Sequence, residues 1–388
     1  MERRDGTLFR TRKVGPTVDP ENAMELSDVL TCVHVLSESM AALPLDLFLR
    51  GDGSGKKDRD HSLQELVRWQ PNPEMTSYDL RLWMMVDAIL RGNGAAQVIR
   101  DGNGKVLQLW PLFSSKLKAK RSSSGEVMYS YKSSTKGAKD VALKSNEVLL
   151  IKSFGSGGLF SPSLVNLAAD LLSGAKAAEE YTREFFANGT TLSGVIEFPD
   201  VLDDAAFGRL KKDWEDAHTS QGNRHKTPIL EGGAEFKALA LNHQETQMME
   251  SRKFTRSQIA GLLRVPAHMI NDLEKATFSN IEHQDLGFTK HTLRPWMANW
   301  EQRLRMTLLT EAEKKTHYFK HNTNDLLRGD LKSRYEAYAI GVQNGILSPN
   351  AALKKEDEPT YKGGDTHFVN GNMIPVETAA NRKPEEPE

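Results

Sequence analysis

Apolar residues recur along most of this chain at one of two periods, and the places where the period changes mark its elements. From residue 21 to 49, Val29, Val33, Leu36, Met40 and Leu43 follow every three or four residues, as one face of a helix requires. Pro44 cannot continue that helix, and Leu45-Asp46-Leu47-Phe48-Leu49 alternates like a strand. The Gly-, Lys- and Asp-rich run from Gly51 to Asp60 predicts an exposed loop. A helix from about His61 to Trp69 stops at Pro71-Asn72-Pro73. Thr76 or Ser77 then caps a long amphipathic helix through Leu80, Trp83, Met84, Ile89 and Leu90, closed by Gly92-Asn93-Gly94.

From Ala95 to Ile151 the period is two. Gln97-Val98-Ile99-Arg100, Leu107-Gln108-Leu109-Trp110 and Val127-Met128-Tyr129-Ser130-Tyr131 read as strands, with Asp101-Gly102-Asn103-Gly104 as a tight hairpin turn. This first part is α+β. Ser161-Pro162 then predicts a helix start, and Asn188-Gly189 a stop. The small residues Ala168, Ala169, Gly174, Ala175, Ala177 and Ala178 between them suit a helix that packs closely on neighbours, although an ordinary core helix fits the pattern equally well.

Residues 190 to 241 read as a compact insert. It has a strand at Ser193 to Phe198, a charged helix from about Asp203 to His218, and strands near Thr227 to Leu230 and Phe236 to Leu241. Asn242-x-x-Glu245 has capping-box spacing and opens another long helix, which Val265-Pro266 ends. Two long helices flanking a small α/β insert suggest a stalk carrying a head.

Ala267 to Phe278 is polar and irregular, and Ser279-x-x-Glu282 is a second capping-box pattern. The helix that follows carries Trp296, Trp300, Leu304 and Leu308, with Pro295 inside it, which predicts a kink near Leu293-Arg294. Asp330 to Gly345 reads as one more helix. Glu356 to Glu388, rich in Pro, Gly, Asn and charge, reads as loop and then disordered tail.

Composition changes this picture mainly by exclusion. A length of 388 residues favours two or three compact units. Apolar residues at 38% and charged residues at 27% exclude a wholly disordered chain. Lys plus Arg count 51 against 52 Asp plus Glu, a net charge of -1, so there is no global basic field for nucleic acid or an acidic membrane. The single cysteine, Cys32, lies in an apolar helical stretch and reads as a buried thiol in a protein assembled in a reducing compartment. The N-terminus lacks the apolar region of a secretory signal, and no run approaches the roughly 18 apolar residues of a membrane span.

Candidate chemistry is mostly near misses. Gly51 to Lys57 resembles a phosphate loop, but Arg50 stands where the first glycine belongs and Lys57 where a Ser or Thr should hold magnesium. Gly92-Asn93-Gly94 and Gly102-Asn103-Gly104 lack the third glycine of a dinucleotide fingerprint. Phe154 to Gly158 lacks the leading glycine of a nucleophile elbow. His317 and His321 would share a helix face, but no Glu follows His317 and no third metal ligand is evident. The sequence therefore predicts no catalytic site, no metal and no cofactor.

Several segments in order resemble the portal proteins of long-tailed bacteriophages, the siphovirus, Hong Kong-type portals. Val29 to Leu47, with its Leu43-Pro44-Leu45, resembles the family's opening helix and strand entry. So do His61-Ser62-Leu63 with Gln70-Pro71-Asn72-Pro73 and Met75-Thr76, and Leu90-Arg91-Gly92-Asn93-Gly94. Ser161-Pro162 with Phe185-Phe186-Ala187-Asn188-Gly189 and Gly194-Val195 is similar to a further family block. Later come Leu230-Glu231-Gly232-Gly233, Arg252, Ile259-Ala260, Val265-Pro266, Thr277 to Glu282 and Thr292 to Trp296. Gly345 to Asn350 resembles the family's C-terminal motif, with Ala351 where a Glu is usual. The resemblance covers roughly residues 20 to 375, and the chain starts close to the first matching helix, so the usual N-terminal extension is expected to be short or absent.

That resemblance implies an α+β portal fold assembled as a dodecameric ring at the capsid's unique vertex. It implies a wing over 1–160, stem helices at 161–189 and 242–264, a clip at 190–241 and a tunnel loop at 265–278. A second wing part would cover 279–324, and a crown with a flexible tail 325–388. The ring would conduct double-stranded DNA during packaging and ejection, with Asn271, Lys275 and Thr277 of the tunnel loop facing it. Lys275 could instead be a solvated loop residue paired with Glu274. Asp203, Lys211, Lys212, Glu215, Arg224 and Lys226 of the clip would meet the large terminase subunit and then the head-tail adaptor. Major capsid protein or scaffold would be further partners, the host cytoplasm the place of assembly and the virion the destination. A ring-forming head-tail connector with no direct role in moving DNA is the alternative.

Overall fold

Thr76 opens the helix on which the fold is organised. Its hydroxyl accepts the Asp79 amide at 3.2 Å while the Asp79 carboxylate accepts the Thr76 amide at 2.9 Å, a complete capping box. The structure, a computed structural model, describes residues 16–51, 55–133, 139–155, 158–187, 194–197, 203, 205–209, 211–212, 235–238, 242–273, 278–323, 331–356 and 358–368. It divides into two units, Met1–His321 and Asn322–Glu388.

In the first unit, α1 (Ser27–Ala42), β1 (Leu45–Leu49), α2 (Ser62–Arg68) and α3 (Ser77–Arg91) come in the predicted order, and a two-residue β2 (Lys56–Lys57) forms inside the run read as a loop by pairing with β1. α1 buries Val29, Val33, Leu36 and Met40 against α3, which answers with Leu80, Met84 and Ile89. Arg91 ends α3 and Gly92, at φ 87°, turns the chain straight into β3 (Asn93–Arg100). A side chain at Gly94 would run into the Met84 carbonyl, so the helix and strand approach each other as closely as backbone allows.

β3 is the centre of a three-stranded antiparallel sheet between β4 (Val106–Leu112) and β8 (Val148–Lys152). The expected hairpin turn is present: Gly104 adopts φ 85° and the Asp101 carboxylate accepts the amides of Asn103 and Lys105. β5 (Leu117–Arg121), β6 (Val127–Tyr131) and β7 (Val141–Lys144) form a separate antiparallel meander. Its inner face closes over Leu112, Leu117, Leu143 and Leu150.

The helix expected to open at Ser161 starts later. Ser161 is occupied otherwise, its amide donating to the Asn93 side chain at 2.9 Å and its hydroxyl to the Ser153 carbonyl at 3.1 Å. Ser163 caps instead, accepting the Asn166 amide at 3.1 Å, and a short α4 (Leu164–Leu167) leads into α5 (Ala169–Ala187). β9 (Gly194–Glu197) pairs antiparallel with β10 (Glu235–Ala238), and α6 (Asn242–Leu263) returns to the core of the first unit, where it buries Ile259 and Leu263. The proline effect is also visible. α7 (Phe278–Phe288) passes through a π-helical turn, Thr289–Leu293, before α8 (Arg294–Leu308) begins with Pro295 in its first turn. The wider turn absorbs the backbone bond that proline cannot make.

After a short α9 (Glu313–Thr316), β11 (His317–His321) pairs antiparallel with β1 along its whole length, Leu45 opposite His321 and Leu49 opposite His317. Taken by itself, the second unit holds α10 (Leu331–Gln343) and α11 (Pro349–Leu353). Ser348 caps α11 through the Ala351 amide at 3.2 Å, so alanine at 351 leaves the cap in place. Buried Asn350 accepts the Tyr361 amide and donates to its carbonyl, which shapes the segment through 368 rather than leaving it unstructured.

Candidate functional site

The loop at 265–278 is the candidate site, and its described ends are firmly held. α6 stops because Arg264 takes the left-handed conformation at φ 56°, with the Val265 amide reaching back to the Ala260 carbonyl at 2.9 Å. Thr292 in the π-helical turn donates to the Arg264 carbonyl at 2.8 Å, which ties the end of α6 to the start of α8. A hollow of about 520 Å³ lies at this joint, walled by Leu36, Leu164, Leu263 and Trp296.

Asn271 is the second left-handed non-glycine residue, at φ 60°, and it is exposed. It ends the helical turn Ala267–Ile270, and the Asp272 amide donates to the Ala267 carbonyl at 3.0 Å. Lys275 and Thr277 lie outside the described residues. Two side chains not singled out in the sequence hold the loop. The Arg256 guanidinium donates to the Ile270 carbonyl while its Nε stands 3.4 Å from Asp28 of α1. His268 spans the loop's base, with Nδ1 2.7 Å from Gln284 Oε1 and Nε2 2.8 Å from Asp285 Oδ1. Asp285 can only accept, so Nε2 carries a proton. The sequence signal was no more than a polar residue in each case, Arg256 in a long helix and His268 in the irregular polar stretch after it.

Beside Asp28, burial is the main cause that pushes the Cys32 thiol up to about 11, with Asp28 adding to it and Arg256 opposing it. Cys32 is buried and free, as expected of a packing residue. Of the clip candidates, Asp203 is exposed and its carboxylate accepts the Ala206 amide at 2.6 Å. Lys211 and Lys212 are exposed and helical, and Glu215, Arg224 and Lys226 lie outside the described residues.

His317 and His321 sit on a strand rather than a helix, which puts them roughly 13 Å apart along the chain, too far for one ion. His317 pairs with Asp58 at 3.1 Å and its neighbour His61 with Glu313 at 3.1 Å. His321 is buried against Glu301 at 2.9 Å, and burial holds its imidazole below the ordinary value despite that carboxylate. Among the described residues no group of three His, Cys, Asp or Glu side chains could hold a metal, and no helix is long and apolar enough to cross a membrane.

This arrangement, two long helices around a small β unit with a clamped loop after the second, has known relatives. The family model for phage portal proteins matches residues 27–357. The chain belongs to the phage portal protein family. It is 30% identical to the portal protein of Enterobacteria phage HK97 over 374 residues, covering 95% of this chain and 87% of that one. It is 28% identical to a probable portal protein of Streptomyces phage phiC31, over 88% of this chain and 77% of that protein. Among solved structures it is similar to a chain in the neck of an empty gene transfer agent particle. The TM-score is 0.61 at 20% identity, covering 89% of this chain and 96% of that chain. A portal protein of the HK97 family from Corynebacterium diphtheriae gives a TM-score of 0.54 at 16% identity, over 81% and 98%. The portal is therefore an α+β structural protein of the phage particle, acting at the capsid vertex.

Proposed function

We propose that this portal assembles as a dodecameric ring whose axis conducts double-stranded DNA into and out of the capsid. The observation that carries the reading is the family match over residues 27–357 together with two long helices, α5 and α6, flanking the β9–β10 unit. A related gene transfer agent neck has been solved with twelve-fold symmetry, which supports the subunit number. In this reading 1–160 and 279–324 form the wing and the helices of 161–189 and 242–264 the stem. Residues 190–241 form the clip and 325–388 the crown and tail.

The clip, with Asp203, Lys211, Lys212, Glu215, Arg224 and Lys226, would receive the large terminase subunit during packaging and the head-tail adaptor afterwards. Major capsid protein or scaffold would surround the wing, and assembly would occur in the bacterial cytoplasm. ATP hydrolysis would belong to the motor, and the portal would carry no catalytic step. In the loop held by Arg256 and His268, Lys275 would place a ring of positive charge at the channel, and Asn271 and Thr277 would offer hydrogen bonds to phosphate. Electron microscopy of the purified chain tests the ring: a closed ring with a hole wide enough for duplex DNA is expected, and a monomer overturns the reading. Lys275→Ala is expected to lower packaged DNA while rings still form. Undiminished packaging removes Lys275 from the channel, and rings that assemble but never take part in packaging favour the connector reading instead.

A further inference from the structure

The solvent face of the β5–β6–β7 meander is unusually basic. Alternation along its strands puts Lys118 and Lys120 on the outer face, because Leu117 is buried. Lys118 stands opposite Ser130, Lys120 opposite Met128, and Met128 opposite Lys144. Lys132 continues β6 on the same face, its amide donating to the Lys116 carbonyl. Lys118, Lys120, Lys132 and Lys144 are exposed, and among the described residues none of the four forms an ion pair. The acids near the face are Asp140, which accepts from Ser130 at 3.3 Å, Glu126 in the hairpin, and Glu147, whose carboxylate accepts the Lys144 amide at 2.8 Å. On the middle strand exposed Met128 stands between Lys120 and Lys144, with Ser130 beside it and exposed Ala142 on the β7 edge.

The same unit of the chain carries the opposite surface. Around the start of α1 and the middle of α5, Asp19, Glu21, Glu25, Asp28, Glu179 and Glu180 gather about three cations. Lys176 meets Glu25 at 2.9 Å, Arg91 meets Glu21 at 3.1 Å and Arg256 meets Asp28 at 3.4 Å. Glu21 and Glu25 remain mostly exposed at 63% and 65%. Six carboxylates against these three cations leave this surface negative.

We propose that the basic outer face of the β5–β6–β7 meander docks on the acidic surface around Lys176 of a second copy of this chain. The proposal rests on the ring reading given above. A ring of identical subunits joins two unlike faces, so each copy must supply both halves of one complementary pair. Charge of opposite sign on two separate surfaces meets that need, and it selects the head-to-tail contact because two basic faces or two acidic ones repel. A large apolar side chain, Met128, flanked by Lys120 and Lys144 gives the face an apolar contact point within charge, as protein contacts have. Duplex DNA is the competing polyanion, but nothing in DNA calls for the matching acidic surface on the same molecule.

Charge reversal tests the pairing on the full chain, with Lys118→Glu plus Lys120→Glu as one variant and Glu179→Lys plus Glu180→Lys as the other. Ring formation is followed by mass photometry and folding by circular dichroism. Each variant alone is expected to stay folded and to need at least about tenfold more protein to form rings, a gap that narrows near 1 M salt, where the screening length falls to roughly 3 Å. Mixing the two variants is expected to restore rings, because alternating copies rebuild every opposite-sign contact. Putting all four reversals on one chain is expected to do the same. Rings that form normally from either variant, or a mixture that recovers nothing, overturn the pairing. Normal rings from the lysine variant combined with salt-sensitive loss of duplex binding assign the basic face to DNA and overturn it too. A wild-type chain that never forms rings fails earlier, at the ring reading itself.

Discussion

The core of the first unit and the α5–α6 pair, wing and stem in the proposed reading, are built from similar amphipathic helices, yet they bury their apolar residues very differently. In the wing, Met84, Met85, Leu47 and Trp300 are all 2% exposed or less, enclosed by α1, α3, α8 and the sheets of one chain. Among the described residues of these helices the buried apolar side chains are Leu172 and Ala175 early in α5 and Ile259, Ala260 and Leu263 late in α6. Further out, Tyr181 is 57% and Phe254 66% exposed. A single chain therefore completes the wing, whereas the stem carries apolar side chains that only something else can cover. Helical stability in proteins comes mostly from such packing, so the stem should depend on assembly and the wing should not.

The largest expected effect is in the wing. Trp300 is buried with its Nε1 3.2 Å from the Met85 sulfur, and Trp300→Ala should cost about 3–5 kcal/mol, read as a shift of the denaturant midpoint in unassembled chain. A midpoint unmoved by that change would break the contrast at its stronger side. Next comes Ala175→Pro, which removes a helix bond and clashes with the previous turn for about 3 kcal/mol or more. Ring yield should collapse on native mass spectrometry while wing tryptophan fluorescence stays native.

A smaller effect is set by pH. Burial holds His321 below the free-imidazole value of 6.5, so the unfolded chain binds more protons than the folded one. Stability should be full above pH 6.5 and decline as pH falls through 6.5 toward the lowered folded value, and His321→Gln should flatten that decline in urea titrations at stepped pH. Smallest for the isolated chain is Phe254→Ser, within about 0.5 kcal/mol of wild type because the ring is already in solvent. Its effect should appear only as weaker ring assembly; equal assembly would show that Phe254 is no part of the stem contact.

Local signals carried much of the fold. The Thr76 box, the Gly92 stop, the Asp101–Gly104 turn and the distortion before Pro295 each arise from atoms a few residues apart, and the structure has all four. Ser161 misled because two serines stood close together, and which one caps was settled by Asn93, far away in sequence. The site was legible only as an irregular polar loop. Its clamps, Arg256 on Ile270 and His268 on Gln284 and Asp285, join separate elements, and no spacing rule reaches them.

What the sequence determined by itself was most of the helices and strands of the first unit and, through ordered motifs, membership of the portal family. Helix caps, turns and proline breaks are interactions within one or two turns of chain, so each segment fixes them alone. Only the tertiary structure decided that β11 pairs with β1 and that α6 is tied to α8 through Thr292. It alone put lysines of three strands on one face while carboxylates from α1 and α5 gathered on another. Those pairings depend on which apolar faces compete best for one shared core, and that competition involves the whole chain at once.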